Sequence, residues 1–280
     1  MIAGFGELGE ALRRSTVQIR NRRGSGGGSG VVWNANGLIV TNAHVIGRAE
    51  AASVELWDGR TFEAEVKARD ERRDLASLRI HAGQLQPATI GDSSRLRAGE
   101  LVIAVGNPLG FTGAMSTGVI HAAGPMNGLG RRTWVQAGIR LAPGNSGGPL
   151  ADSLGRVIGI NTMIVSGGLA LAVPVNTVRA FIDAGPSAGL GVTVRPVRVP
   201  QRRKLGLLVL EVNPGGPADA ASLMAGDILT GADGTDFSAI DDLSDAIERS
   251  AGRLLALRFM RGGLDRTREV RVDLAWKVAA

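Results

Sequence analysis

The sequence predicts a mostly β protein, in which a large region of short strands is followed by a smaller α+β module. Short β-branched runs recur between glycine-rich turns from residue 16 to residue 174, a spacing that suits a sandwich or a barrel. Glycine is abundant at 41 residues while tyrosine is absent, a balance that favours many tight turns over helical packing. Residues 190–280 carry strands of their own and one stretch of helical periodicity, and so read as a separate unit.

The strands of the first region are read from Val31-Val32-Trp33, Leu38-Ile39-Val40, Val54-Glu55-Leu56, Leu101-Val102-Ile103-Ala104-Val105 and Val157-Ile158-Gly159-Ile160. Residues 175–184 read as a helix, with Asn176 as its N-cap and Val178, Phe181 and Ile182 on one face. Gly185-Pro186-Ser187-Ala188-Gly189 reads as a linker, which puts the domains at 1–184 and 190–280. In the second region strands are expected at 207–212, 228–229, 254–259 and 269–274. A helix is expected at 239–250, where Ile240, Leu243, Ala246 and Ile247 share a face. The run from Gly24 to Gly30 has the composition of a flexible linker, yet it leads straight into a strand, so a mobile loop at a strand edge is an equal reading.

Composition excludes several functions. The chain is 44% hydrophobic and 21% charged, enough apolar content for a buried core and too little charge for wholesale disorder. With no cysteine there is no disulfide, thiol nucleophile or cysteine-ligated metal. The formal charge of +6 makes nucleic acid a partner to consider. Of 32 basic residues only Lys67, Lys204 and Lys277 are lysine, and the arginines fall in scattered pairs without interleaved aromatics. That pattern reads as a solvated surface and argues against nucleic-acid binding. No apolar run has the length of a spanning helix. Met1-Ile2-Ala3-Gly4-Phe5 is followed at once by Gly6-Glu7, so a secretory apolar segment is missing. A cytoplasmic location is expected if Met1 is the native start, and a periplasmic or extracellular one if a leader has been removed.

Chemistry centres on Gly144-Asn145-Ser146-Gly147-Gly148-Pro149. Glycines around a serine permit a sharp turn that exposes its hydroxyl, and they leave the N–H groups of Gly144 and Ser146 free to converge as an oxyanion hole. A serine hydroxyl needs an adjacent base at neutral pH, and the chain has three histidines: His44, His81 and His121. His44, in Thr41-Asn42-Ala43-His44-Val45, follows an apolar run at a strand-to-turn junction, where a side chain can face a cleft. His81 and His121 read as ordinary strand-end residues. Asp70 and Asp74 both lie between His44 and Ser146. Asp74 is favoured because it directly precedes the run Leu75-Ala76-Ser77-Leu78, whereas Asp70 sits in a charged stretch. No histidine follows residue 146, which rules out the nucleophile elbow of an α/β-hydrolase. The order His, Asp, Ser is that of the chymotrypsin class.

The segments around His44, Asp74-Leu75-Ala76, Gly106-Asn107-Pro108-Leu109-Gly110, Gly144–Leu150 and Val157-Ile158-Gly159-Ile160-Asn161-Thr162 closely resemble the HtrA/Deg serine proteases. The resemblance covers nearly the whole chain. It implies a chymotrypsin-like double six-stranded β-barrel, a carboxyl-terminal PDZ domain and cleavage of unfolded or damaged proteins. On the matching positions it implies Ser146 as nucleophile, His44 as base, Asp74 as orienting acid and the amides of Gly144 and Ser146 as oxyanion donors, with no metal or organic cofactor. Lys204-Leu205-Gly206-Leu207 resembles the PDZ loop that captures a peptide carboxylate, with the peptide adding as a strand beside residues 207–210. The resemblance also implies a homo-oligomer, usually a trimer joined through amino-terminal aromatics, for which this chain offers Phe5. The rival reading is a catalytically silent protease fold kept for binding peptides.

Two features bear on mechanism. Where trypsin-like zymogens carry an activating aspartate before the serine, this chain has the uncharged Asn145, so activity is expected to depend on loop order at residues 140–144 and 163–168. Where the family commonly has an acidic residue ahead of the active-site loop, this chain has Gly138. The substrate pocket is expected from Leu141, Ile160, Met163 and Ile164, with no pocket aspartate. An apolar slot would leave a basic P1 side chain unpaired. Digestion of unfolded casein is therefore expected to cut after small aliphatic residues such as Val and Ala; peptide mapping that finds cuts mainly after Arg and Lys would rule this out.

Overall fold

A computed structural model describes residues 4–20, 27–107, 113–126, 132–165, 168–184, 190–199, 204–250, 254–262 and 266–274. The chain divides into two compact units, Met1–Pro186 and Ser187–Ala280. The expected linker at 185–189, and residues 166–167 of the expected regulatory loop, lie outside the described residues. No helix among the described residues is long and apolar enough to cross a membrane.

In the first unit a helix, α1 (Phe5–Ser15), leads into strands β1 (Thr16–Arg20), β2 (Gly27–Val32) and β3 (Leu38–Thr41). A one-turn helix α2 (Ala43–Ile46) follows, then β4 (Ala51–Glu55), β5 (Thr61–Asp70) and β6 (Leu75–Arg79). These six strands close into a barrel of order β1-β2-β3-β6-β5-β4. A second set, β7 (Leu101–Gly106), β8 (Ala114–Pro125), β9 (Thr133–Gly138), β10 (Pro149–Asp152), β11 (Val157–Ile164) and β12 (Ala170–Pro174), closes in the order β10-β11-β12-β9-β8-β7. Helix α3 (Val175–Ala184) follows.

Strand periodicity explains why the runs are apolar throughout. Successive side chains of a strand point to opposite faces. In β7, Val102 and Ala104 enter the core of the second barrel, while Ile103 and Val105 enter a separate cluster shared with α1, α3 and both barrels. Ile39 of β3 likewise faces the first barrel's interior and Val40 the shared cluster. Both faces are dry, so both are apolar. The shared cluster is the seam along which the two barrels meet.

Helix α1 escapes a sequence reading because Gly6 and Gly9 lower its intrinsic helicity. Docking supplies what propensity lacks: Leu12 is buried in the shared cluster with Leu8 packed against it. Arg13 and Arg14 each lie 5.1 Å from the Trp57 ring centre and both pair with Glu10. Hydrogen bonds from Arg13 and then Arg14 hold the Glu10 carboxyl down to about 2. Helix α3 spans the expected residues, but Asn176 is inside it and is not its N-cap. The first turn is satisfied from outside: Asn176 N–H donates to Ser93 Oγ at 3.1 Å, and Asn176 Nδ2 donates to Asp92 at 2.8 Å.

In the second unit β13 (Val192–Val199), β14 (Lys204–Val212), a one-turn helix α4 (Pro217–Ala220), β15 (Ile228–Ala232), β16 (Thr235–Asp236), helix α5 (Asp242–Arg249), β17 (Leu254–Met260) and β18 (Thr267–Asp273) follow one another. The sheet runs β13-β14-β15-β17-β18, with β16 on β15. Helix α5 is shorter than the expected 239–250; Asp242, its first residue, accepts the N–H groups of Ser238 and Ala239 and so ties down the chain that leads into it. Leu243 and Ala246 are buried, whereas Ile240 precedes the helix and is exposed.

The glycine run before Val31 is structural. Its described part, Gly27–Ser29 with Gly30, belongs to β2, and residues 21–26 lie outside the described residues. A Cβ at Gly30 would come within 2.8 Å of Ile19, 2.9 Å of Ile39 and 3.0 Å of Val17, inside the first barrel. Gly30→Ala is expected to overpack that core at a cost of about 1–3 kcal/mol, read as a melting temperature several degrees lower in a thermal scan.

Candidate active site

Strand β3 delivers the chain into α2, which carries the expected base, and β6 begins one residue after the expected acid. His44 is half exposed, while Asp74 keeps only 15% of its side chain in contact with solvent. His44 Nδ1 lies 2.9 and 2.8 Å from the two Asp74 carboxylate oxygens, and the His44 main-chain N–H donates to Asp74 Oδ1 at 3.1 Å. Asp70 is occupied elsewhere, accepting the N–H and guanidinium of Arg73. Asp74 has a left-handed backbone (φ 54°), and buried Asn42 donates its amide to the Asp74 carbonyl at 2.8 Å. A flipped Asn42 would set two oxygens against each other, so the amide orientation follows from its partner.

Ser146 lies in the turn three residues before β10 of the second barrel. Its hydroxyl donates to the Thr162 carbonyl at 2.9 Å, and among the described residues no hydrogen bond joins it to His44. Thr162, on β11, also donates its own hydroxyl to Asp74 Oδ2. One residue therefore touches both the serine and the acid. Burial pushes the Asp74 carboxyl upward, but the hydrogen bonds from His44 and Thr162 outweigh it, and the group sits below the ordinary carboxylate value.

The turn before Ser146 uses its donors unevenly. Asn145 N–H goes to the Ala142 carbonyl at 3.0 Å, Gly147 N–H to Asn161 O at 2.8 Å and Gly148 N–H to Asn145 O at 3.0 Å. Among the described residues the N–H groups of Gly144 and Ser146 have no acceptor. Two unused donors flanking a serine are what an oxyanion site requires. Gly144 and Gly147 take φ of 106° and 85°, which side chains resist. The Asn145 side chain, buried, donates to Ala142 O at 3.1 Å.

The other expected residues separate on burial. Leu141 is half-buried against the second barrel's core, and Met163 and Ile164 are exposed at the end of β11. Ile160 lies wholly inside the shared cluster and presents no surface to a substrate. Leu205, Gly206 and Leu207 stand in β14, whose edges are both paired, as in Leu207 with Pro196 of β13 and with Leu229 of β15. A peptide has no room to add beside Leu207 and Leu208; the edge strands of this sheet are β13 and β18. His121 lies on β8 with its ring over Gly138, where a Cβ would come within 2.5 Å of Nε2. Sequence reading assigned no role to Asn42 or Thr162, although both stand inside the quoted motifs. Among the described residues no group of three or more histidine or acidic side chains is arranged to hold a metal ion.

A carboxyl held lower in the folded chain than in the unfolded one stabilises the fold above the unfolded value, and that contribution vanishes as pH falls through the folded value. Thr162→Val, similar in shape, removes one charge-assisted donor to Asp74 and should cost about 1.5–3 kcal/mol at neutral pH. Denaturant melts at about pH 7 and about pH 3 are expected to show this difference shrinking in acid.

Two family models match the chain: the trypsin-like peptidase domain over residues 28–160 and the PDZ domain over residues 188–272. The sequence is 35% identical over 280 residues to HhoA of Synechocystis, covering 89% of this chain and 71% of that protein. It is 37% identical over 268 residues to Protease Do-like 1, chloroplastic, of Arabidopsis thaliana, covering 85% of this chain and 61% of that protein. Among solved structures, the serine endoprotease from Yersinia pestis matches with a TM-score of 0.67 and 27% identity over 98% of both chains. The HtrA-type protease AlgW with a tripeptide matches with a TM-score of 0.65 and 28% identity over 97% of this chain and 96% of that one. A trypsin-like peptidase domain followed by a PDZ domain, and this degree of identity over most of the chain, lead to one conclusion: the chain belongs to the HtrA/Deg family of serine proteases.

Proposed function

We propose that the protein hydrolyses unfolded polypeptides through Ser146, His44 and Asp74, with the N–H groups of Gly144 and Ser146 receiving the oxyanion. The observation that carries this is the pair of unused N–H groups beside a serine whose carbonyl partner, Thr162, also holds the His44-bound carboxylate. In this reading the Ser146 hydroxyl turns from the Thr162 carbonyl toward His44 Nε2, which removes its proton as Oγ attacks the peptide carbonyl. The carbonyl oxygen becomes the oxyanion and accepts from Gly144 and Ser146. His44 then protonates the departing amine, and water repeats the sequence on the acyl-enzyme. Asp74, held ionised by its donors, keeps the Nδ1 proton of His44 in place throughout.

Asn145 is bonded within its own turn and carries no charge to receive a new amino terminus, which supports control by loop order without a maturation cut. Exposed Met163 and Ile164 beside Thr162 support an apolar substrate contact, with half-buried Leu141 as a further candidate. For the PDZ module the reading favours β13 as the peptide-binding strand, since it is an edge strand while its neighbour β14 is paired on both sides. Half-exposed Phe5 on α1 is the aromatic side chain that supports contact between copies in a trimer.

Ser146→Ala should abolish casein hydrolysis, lowering turnover roughly 10⁶-fold by analogy with another serine protease, while binding of carboxyl-terminal peptides persists. Equal, slow hydrolysis before and after the change, with no covalent labelling by a fluorophosphonate, would favour the peptide-binding reading instead.

A further inference from the structure

Ser29 lies on β2 of the first barrel, inside the glycine run, and is fully buried. Its polar atoms reach across to the second barrel. The Ser29 main-chain N–H donates to Ser146 O at 2.8 Å, and the Ser29 hydroxyl donates to Gly144 O at 2.7 Å. The same hydroxyl oxygen accepts the N–H of Asn107, just past β7, at 2.9 Å. The Ser29 carbonyl accepts the Thr41 hydroxyl at 2.7 Å, which anchors it to β3.

The direction of these bonds is fixed. A hydroxyl has one proton, and with Asn107 N–H pointing at its oxygen that proton has Gly144 O as its acceptor. Ser29 thus holds the carbonyls of Gly144 and Ser146, the same two residues whose N–H groups are unused. Fixing a carbonyl fixes the peptide plane that contains it and limits rotation about its own residue. The Gly144–Asn145 plane is then held at both ends, by Ser29 on Gly144 O and by Asn145 N–H on Ala142 O, so that only rotation about Gly144, at φ 106°, is left to set the direction of its N–H. Close approach is built in: a Cβ at Gly147 would strike the Ser29 carbonyl and the Thr41 hydroxyl, and a Cβ at Gly28 would come within 2.7 Å of Ser146 O.

We infer that Ser29 is the positioning residue of the oxyanion turn, holding the Gly144 and Ser146 amides in convergent aim from the neighbouring barrel. The inference rests on the reading of Ser146 as nucleophile and of these amides as oxyanion donors. It assigns Ser29 no contact with substrate. Its loss should therefore weaken the transition state and leave ground-state binding alone.

The test is Ser29→Ala in the full chain, with Ser29→Cys, similar in shape but a poor donor, as the conservative variant. Hydrolysis of fluorescent casein should show kcat lowered about 10–10³-fold for Ser29→Ala with KM unchanged, and a smaller loss for Ser29→Cys. The rate of fluorophosphonate labelling of Ser146 should fall in parallel. Wild-type kcat in both folded variants, or a raised KM with unchanged kcat, would overturn the inference. If Ser29→Ala does not fold, Ser29→Cys decides by the same criteria; failure of both to fold would assign Ser29 to the barrel core and overturn it as well. Ser146→Ala, run alongside, separates the two readings: residual wild-type hydrolysis there removes the nucleophile itself, whereas an inactive Ser146→Ala beside a fully active Ser29→Ala removes only Ser29.

Discussion

A carboxylate stripped of most of its water must be supplied with donors, and Asp74 draws them from both barrels. His44 provides two from the helical turn after β3, and Thr162 provides one from β11. The acid is therefore also a fastening across the seam. Its left-handed backbone is a conformation that aspartate tolerates better than most residues, and Asn42 pins it from behind. If the barrels shifted relative to one another, this carboxylate would lose the donor that Thr162 supplies. Geometry of the site and integrity of the seam are one problem in this fold.

Much of the fold was legible because burial on both faces leaves continuous apolar runs, as in β7 and β11. What was illegible depended on distant partners. Helix α1 has a weak local pattern, since its stability comes from Leu12 in the shared cluster and from Arg13 and Arg14 on Trp57. The glycines of β2 looked like a linker because absence of a side chain is the whole signal, and a packed barrel interior and a flexible loop both call for it. Strand order is also invisible in one dimension. The sequence marks β14 as a strand but contains nothing to say that β13 and β15 cover both its edges.

The candidate site divides in the same way. Ser146, His44 and Asp74 were readable because side-chain chemistry and chain order restrict them together. Thr162, Asn42 and Ser29 each act on a main-chain carbonyl or through a main-chain group, and such roles leave little trace in residue type. Ile160 failed in the opposite sense. Its apolar character fits a pocket wall and a core equally, and only burial separates them.

The edge strand β13 has one more property. An unpaired strand edge is a template for any extended chain, including a second copy of the same sheet. Pro196 sits in β13, tolerated there because an edge strand can spare an N–H, and exposed Arg195 and Arg198 flank it. A row of donors interrupted at its middle and bordered by like charge is a poor template for a second sheet, so the proline and the two arginines guard the edge that the fold leaves open.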